Sequence, residues 1–120
     1  MAESVVFAEE TFGTVKKLKI TVTSAADGTA DGTSTYAYSG AVLRFVAVPD
    51  AGGTQPTNAF DVALNDEDGY DILAGQGANL SNAAATTVVA SMGAIANDKV
   101  AFAGTNMGAS KGATFYLYVR

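Results

Sequence analysis

The chain has 120 residues, of which 48% are hydrophobic and 16% charged, and its formal net charge is −5 at pH 7. This length supports one hydrophobic core, and the low charged fraction excludes a disordered class of protein. Seven basic residues against twelve acidic ones argue against nucleic acid or an anionic membrane as a partner, and the absence of Cys and His excludes disulfides and the commonest catalytic groups.

The N-terminal part of the chain precedes the first strongly patterned segment. Residues 5–9 predict a short strand, so we expect residues 1–14 to form an edge strand or an arm that reaches a neighbour, ahead of a β-sandwich domain over 15–120. In residues 18–23 apolar side chains alternate with Lys and Thr, which predicts a strand with one buried face. Acidic residues stand where a secretory signal is basic, so we expect synthesis in the cytoplasm.

Two strands are predicted in the next part of the chain, over 34–38 and 41–48, with a break at Ser39-Gly40. The second is apolar on both faces apart from Arg44, which predicts a buried strand. A charge in that setting needs a partner, either an Asp of the same subunit or an acidic group on a neighbour. Tight turns with positive φ are predicted at three pairs: Asp27-Gly28, Asp31-Gly32 and Asp68-Gly69.

An acidic cluster occupies residues 65–71, directly after another alternating segment at 60–65. Calcium prefers six to eight oxygen ligands, but an EF-hand register would place Leu64 and Gly75 at ligand positions. The cluster therefore predicts a hairpin tip with Asp68-Gly69 as its turn, and we assign no metal site and no cofactor.

The last part of the chain predicts strands over 86–90, 99–103 and 115–119. In the C-terminal strand Tyr116 and Tyr118 share one face and the apolar residues take the other. Short strands with regular turns and no long helical pattern predict a single-domain all-β fold, a jelly-roll-like β-sandwich. An immunoglobulin-like sandwich is the alternative, because periodicity does not give strand order.

The functional candidates are surface residues rather than catalytic ones. No nucleophile has a supporting base, and no glycine-rich segment opens a helix as a phosphate loop would, so we do not expect an enzyme. Tyr is enriched at protein interfaces and also stacks on sugars, although paired Tyr side chains can simply cover a sheet. The candidate interface residues are Tyr36, Tyr38, Arg44, Tyr70, Tyr116 and Tyr118.

Several segments together resemble a family of known proteins. They are Gly13-Thr14-Val15-Lys16-Lys17-Leu18, Ala37-Tyr38-Ser39-Gly40, Pro56-Thr57 leading into Phe60-Asp61-Val62, and the runs 66–73, 75–79 and 111–120. This pattern of turns and strands is similar to that of small virion proteins of tailed bacteriophages. Such proteins are similar in size to the jelly-roll cement or decoration proteins that coat phage heads.

The resemblance implies a structural role in the virion and carries no catalytic residues. It implies a capsid decoration protein that binds major capsid protein subunits on the outer head surface and stabilises the head against internal DNA pressure. A homo-oligomer, dimer or trimer, would match the symmetry axes of a shell. The alternative is a carbohydrate- or receptor-binding module of a tail or head fibre, with Tyr70 and Asp71, or Tyr116 and Tyr118, as its binding platform.

Overall fold

The structure, a computed structural model, describes residues 3–120, so Met1 and Ala2 of the predicted N-terminal segment lie outside the described residues. The described part of the chain contains seven strands, all paired antiparallel, and its single helical turn is the 3₁₀ turn Gly52–Thr54. The all-β class predicted from the sequence is confirmed. The strands are β1 (Ser4–Phe12), β2 (Val15–Thr23), β3 (Ala30–Pro49), β4 (Asp61–Asn65), β5 (Thr86–Val88), β6 (Ala94–Thr105) and β7 (Gly112–Val119).

The strands follow the order β1-β2-β7-β3-β6-β4, and β5 pairs with β3. β1 forms an edge of the sheet and pairs along its whole length with β2, through a turn in which Gly13 has a φ of 61°. β7 comes last in the chain and lies between β2 and β3. This insertion brings the outward side chains of three strands onto one surface.

β3 folds the sheet over on itself. Its 20 residues would span about 66 Å if straight, whereas the longest dimension of the molecule is 37 Å. Its first half pairs with β6 and its second half with β7. Phe102 lies opposite Gly32 and Phe115 opposite Ala47, about 50 Å apart along a straight strand, yet the two rings are 5.0 Å apart.

The sheet therefore forms two facing layers: β1, β2, β7, the second half of β3 and β5 in the first, and the first half of β3, β6 and β4 in the second. This arrangement is consistent with the predicted sandwich, and the choice between a jelly roll and an immunoglobulin-like sandwich stays a prediction. The inward side chains of both layers make one core, in which Phe115 stacks on Phe45 with ring centroids 6.0 Å apart. Each fully buried side chain of this kind contributes about 1.5–3 kcal/mol to stability.

Two predicted breaks lie inside β3. Gly32, expected in a tight turn, lies in the extended backbone of β3. A Cβ at this position would lie 2.6 Å from Cβ of Val5 in β1. Gly40, expected to end a strand, continues it with a φ of 144°, and a Cβ there would overlap the carbonyl oxygen of Arg120. Both glycines serve close approach of another segment rather than a change of direction.

Candidate functional site

The outer surface of the first layer brings together aromatic and basic side chains from three strands. Tyr118 of β7 lies opposite Lys17 of β2 on one side and Arg44 of β3 on the other. In the next outward-facing row along the strands, Tyr116 lies between Lys19 of β2 and Val46 of β3. We call this surface the tyrosine face, and its six residues are Lys17, Lys19, Arg44, Val46, Tyr116 and Tyr118.

The local sequence explains why these residues face outward. Phe115 and Leu117 of β7 are fully buried, so the alternation of side chains along a strand directs Tyr116 and Tyr118 away from the core. In β3 a register shift between Val42 and Arg44 adds one residue to the strand. Such a bulge re-aims the following side chain.

Arg44 is exposed, which corrects the prediction that it belongs to a strand buried on both faces. Its guanidinium carbon lies 4.3 Å from the centroid of the Tyr118 ring. Lys17 Nζ lies 4.9 Å from the Tyr116 centroid and 5.9 Å from that of Tyr118. Cation–π contacts at exposed positions contribute about 0.5–1 kcal/mol each.

The tyrosine face carries positive charge that the molecule does not neutralise. Within residues 3–120 the one ion pair joins Lys16 and Glu9, at 3.3 Å, and involves none of the three cations of the face. Glu10 lies opposite Lys17 in the neighbouring β1, so the face and its edge sum to +2. Since the whole chain sums to −5, the remaining residues sum to −7 (−5 minus +2). Charge is thus strongly segregated.

Two further candidates lie together in the first half of β3 but differ in exposure. Tyr36 is 66% exposed, whereas Tyr38 is 5% exposed and belongs to the core. Its burial conflicts with the prediction that Tyr38 is an interface residue. Burial, and then the negative charge of Glu9, raise the pKa of Tyr38 to about 12.

Tyr70 lies apart from the tyrosine face, on the loop between β4 and Asp71, and is 74% exposed. We call residues 66–70 the acidic tip. The Asp66 carboxylate accepts hydrogen bonds from the N–H groups of Asp68 and Tyr70, both at 3.0 Å. Gly69 has a φ of 87° and donates its N–H to the Asp66 carbonyl at 3.1 Å. The predicted turn is confirmed, but residues 71–73 do not form the second strand of a hairpin, because Asp71 pairs with Asn65 of β4 only through an isolated bridge.

The carboxylate of the neighbouring Asp71 is engaged in hydrogen bonds with backbone N–H groups. It accepts hydrogen bonds from the N–H groups of Leu64, Leu73 and Gly75, at 3.2, 3.0 and 2.8 Å. This side chain therefore shapes the loop that follows β4. In residues 3–120 no group of three or more acidic side chains is arranged to hold a metal ion.

An open groove of about 360 Å³ lies beside this loop, with Asp61 and Asp71 in its lining. The Asp61 carboxylate accepts a hydrogen bond from Asn79 N–H at 2.9 Å and another from Asn106 Nδ2 at 2.7 Å. These hydrogen bonds, the backbone one foremost, lower the pKa of Asp61 below its ordinary value. Both carboxylates of the groove thus hold the loops together, and we assign them no ligand.

Sequence reasoning identified Arg44, Tyr116 and Tyr118 but missed Lys17 and Lys19 as their neighbours. The alternation in 18–23 already directed Lys19 outward, and Lys17 stands two residues before it on the same face. The missing information was that β2 pairs with β7, which lies almost 100 residues further along the chain. No signal in a single sequence gives that pairing.

Comparison with protein-family models, curated proteins and solved structures finds no match to this chain. The described residues 3–120 contain no helix with the length and apolar character needed to cross a membrane.

Proposed function

We propose that this chain is a structural protein of a bacteriophage virion, a capsid decoration protein that binds the outer surface of the head and stabilises it against internal DNA pressure. Its partners in this role are major capsid protein subunits and further copies of itself. The resemblance of the sequence to small virion proteins supports the proposal. The structural observation that carries it is the tyrosine face.

The tyrosine face has the composition of a protein-binding surface. Tyr and Arg are enriched in the centres of interfaces, where they combine apolar area with directional polar groups. Here Tyr116, Tyr118 and Arg44 lie on two hydrogen-bonded strands, β7 and β3, with fully buried side chains beneath them. A surface fixed in this way loses little conformational entropy when a partner docks, so more of the contact energy remains as affinity.

A decoration protein strengthens a shell by binding only the assembled state. Binding at 100 times the dissociation constant stabilises that state by about 2.7 kcal/mol per site. Copies joined around a symmetry axis of the shell add avidity, because each further contact becomes intramolecular.

The geometry does not favour the alternative of a sugar-binding module. A sugar ring stacks on the open face of an aromatic side chain, but Lys17 already lies over Tyr116 and Arg44 over Tyr118. Tyr70 is exposed, but it stands as a single ring on the acidic tip. We therefore place protein contact ahead of carbohydrate binding.

The proposal is tested on particles of the phage that encodes the chain. Purified protein is added to heads that lack it, and binding and the disruption temperature are measured. We expect saturable binding and a higher disruption temperature. The variant Tyr116→Ser/Tyr118→Ser should bind more weakly, whereas Tyr36→Ser, which removes an exposed Tyr from the other layer, should bind like the wild type.

Circular dichroism and thermal melting verify that each variant is folded before binding is measured. Wild-type protein that neither binds heads nor changes their disruption temperature would refute the proposed function. Equal binding by the wild type and both variants would show that the tyrosine face does not contribute to head binding. A glycan array bound by the wild type but not by Tyr116→Ser/Tyr118→Ser would favour the sugar-binding alternative instead.

A further inference from the structure

We infer that the tyrosine face of one copy binds the acidic tip of a second copy, so that this chain assembles head to tail with itself. The inference rests on the proposed function in one respect, namely that the tyrosine face is a protein-binding surface. It goes further by naming the occupant, a second copy, so that the face contributes to head binding through the avidity of the joined copies. Each copy of the chain carries both surfaces, the tyrosine face and the acidic tip.

The two surfaces are complementary in charge. The tip carries three consecutive carboxylates, Asp66, Glu67 and Asp68, of which Glu67 and Asp68 are exposed, and the face presents three cations without an acidic ion-pair partner in residues 3–120. Opposite patches attract at short range even when both molecules carry net negative charge, because salt screens charges separated by more than about 8–10 Å. The overall charge of −5 therefore opposes the contact only weakly at physiological salt.

The tip is also rigid and carries an aromatic anchor. Two hydrogen bonds to the Asp66 carboxylate fix its turn, and Glu67 Oε2 accepts a hydrogen bond from Lys99 N–H of β6 at 2.9 Å. Tyr70 extends from this fixed loop with 74% of its surface exposed. An exposed Tyr beside carboxylates matches a surface of cations lying over Tyr rings, since a Tyr ring also pairs with an Arg guanidinium and carboxylates attract the cations.

One copy cannot make this contact with itself. The tip continues β4 and is held to β6, both in the second layer, whereas the tyrosine face is the side of the first layer that points away from the second. Within residues 3–120 no hydrogen bond or ion pair joins the two surfaces. A contact between two different surfaces is heterologous, and it makes a ring when the rotation between copies closes.

The test begins with purified protein in sedimentation velocity at about 100 μM, a concentration that detects contacts of micromolar to sub-millimolar affinity. We expect the wild type to associate at low salt and to dissociate as salt is raised. The face variant Lys17→Gln/Arg44→Gln and the tip variant Glu67→Gln/Asp68→Asn should each associate at least about tenfold more weakly. Gln at position 67 keeps an oxygen for the Lys99 N–H.

Matched controls change the total charge equally at other places. Lys16→Gln/Lys111→Gln removes two positive charges outside the tyrosine face, and Glu3→Gln/Asp31→Asn removes two negative charges outside the acidic tip. Both controls should associate like the wild type. If either control weakens association as much as its matched variant does, net charge rather than the specific contact is responsible, and the inference is wrong.

Mixing the two blocked variants gives the sharpest test. The face variant retains an intact tip and the tip variant an intact face, so an equimolar mixture should form dimers that stop at two copies. A wild type that stays monomeric, or a mixture that forms no dimer when each variant alone is blocked, overturns the inference. The inference is also wrong if the face variant loses association while the tip variant associates like the wild type, because that outcome indicates a face-to-face contact.

Failure of this inference and failure of the proposed function give different results. Protein that decorates heads but stays monomeric, with an unchanged sedimentation coefficient in every variant, sinks only the head-to-tail contact. Protein that associates as described but is absent from particles sinks only the role in the virion.

Discussion

Arg44 and Tyr118 stack across neighbouring strands, with the guanidinium carbon 4.3 Å from the ring centroid. The contact joins β3 to β7 on the outer surface of the first layer. The next residue, Phe45, turns inward and stacks on Phe115 in the core. Adjacent residues of one strand therefore have different roles: Arg44 makes a surface contact and Phe45 packs in the core.

This difference predicts that two neighbouring substitutions lower stability by very different amounts. Arg44→Ala removes an exposed cation–π contact and should lower the free energy of unfolding by about 1 kcal/mol or less. Phe45→Ala leaves a cavity in the core and should lower it by about 3–5 kcal/mol. Urea unfolding followed by circular dichroism measures both. A loss for Arg44→Ala as large as that for Phe45→Ala would show that the stack holds the layer together.

Gly40 is expected to be intolerant of any side chain. Its φ of 144° disfavours L residues, and a Cβ there would meet the Arg120 carbonyl oxygen, which accepts a hydrogen bond from Ala41 N–H at 2.8 Å. Gly40→Ala should lower the free energy of unfolding by about 2 kcal/mol or more. Gly53→Ala, at a position with no atom within 4 Å of a new Cβ, should have little effect. Equal melting temperatures for the two variants would contradict this account.

Asp71 and Asp68 offer a second matched pair, three residues apart. Asp71→Ala removes the acceptor of three backbone N–H groups and should cost about 2–4 kcal/mol of stability. The Asp68 carboxylate is exposed and accepts no such bond, so Asp68→Ala should change stability by about 0.5 kcal/mol or less. Chemical denaturation of the two variants beside the wild type decides the point, and similar midpoints would mean that Asp71 does not organise the loop.

Tyr38 should make stability depend on alkaline pH. Because burial raises its pKa to about 12 in the folded state, from 10.0 for the free side chain, the folded state favours the neutral phenol. This contribution is fully present below pH 10 and is lost as pH rises from 10 towards 12. Tyr38→Phe should show a smaller loss of stability across that window than the wild type.

Absorbance at alkaline pH supplies the accompanying measurement for Tyr38. A late ionisation step is expected near pH 12 from Tyr38, and that late step should be missing in Tyr38→Phe. Tyr36→Phe serves as the control, because Tyr36 is exposed and its removal should leave the late step in place. A late step that survives Tyr38→Phe would assign it to another residue.

The features that depend on local alternation were predictable from the sequence. Leu18, Ile20 and Leu117 are fully buried, as their period-two spacing predicts, and Tyr116 points the other way. The Asp68-Gly69 turn also follows from local chemistry, since Gly69 supplies the positive φ that the turn requires. In each case the deciding interactions lie within a few residues along the chain.

The features that depend on distant pairing were not predictable. Asp31-Gly32 has the composition of a tight turn, but its pairing with β6 and the approach of Val5 keep it extended. Period two places Tyr36 and Tyr38 on one face, but the register with β6 shifts between Thr33 and Ala37, which includes Tyr36, and only Tyr38 enters the core. The tyrosine face likewise depends on a β2–β7 register that no local pattern encodes.

The long strand β3 has a consequence for how the molecule fails under load. Because its two halves belong to different layers, neither layer can separate without breaking hydrogen bonds made by the same continuous backbone. Unfolding should thus be a single all-or-none event, without a half-open intermediate that exposes the core. In the role that we propose, on a head under internal pressure, such a domain would stay fully folded up to a threshold force and would then unfold completely.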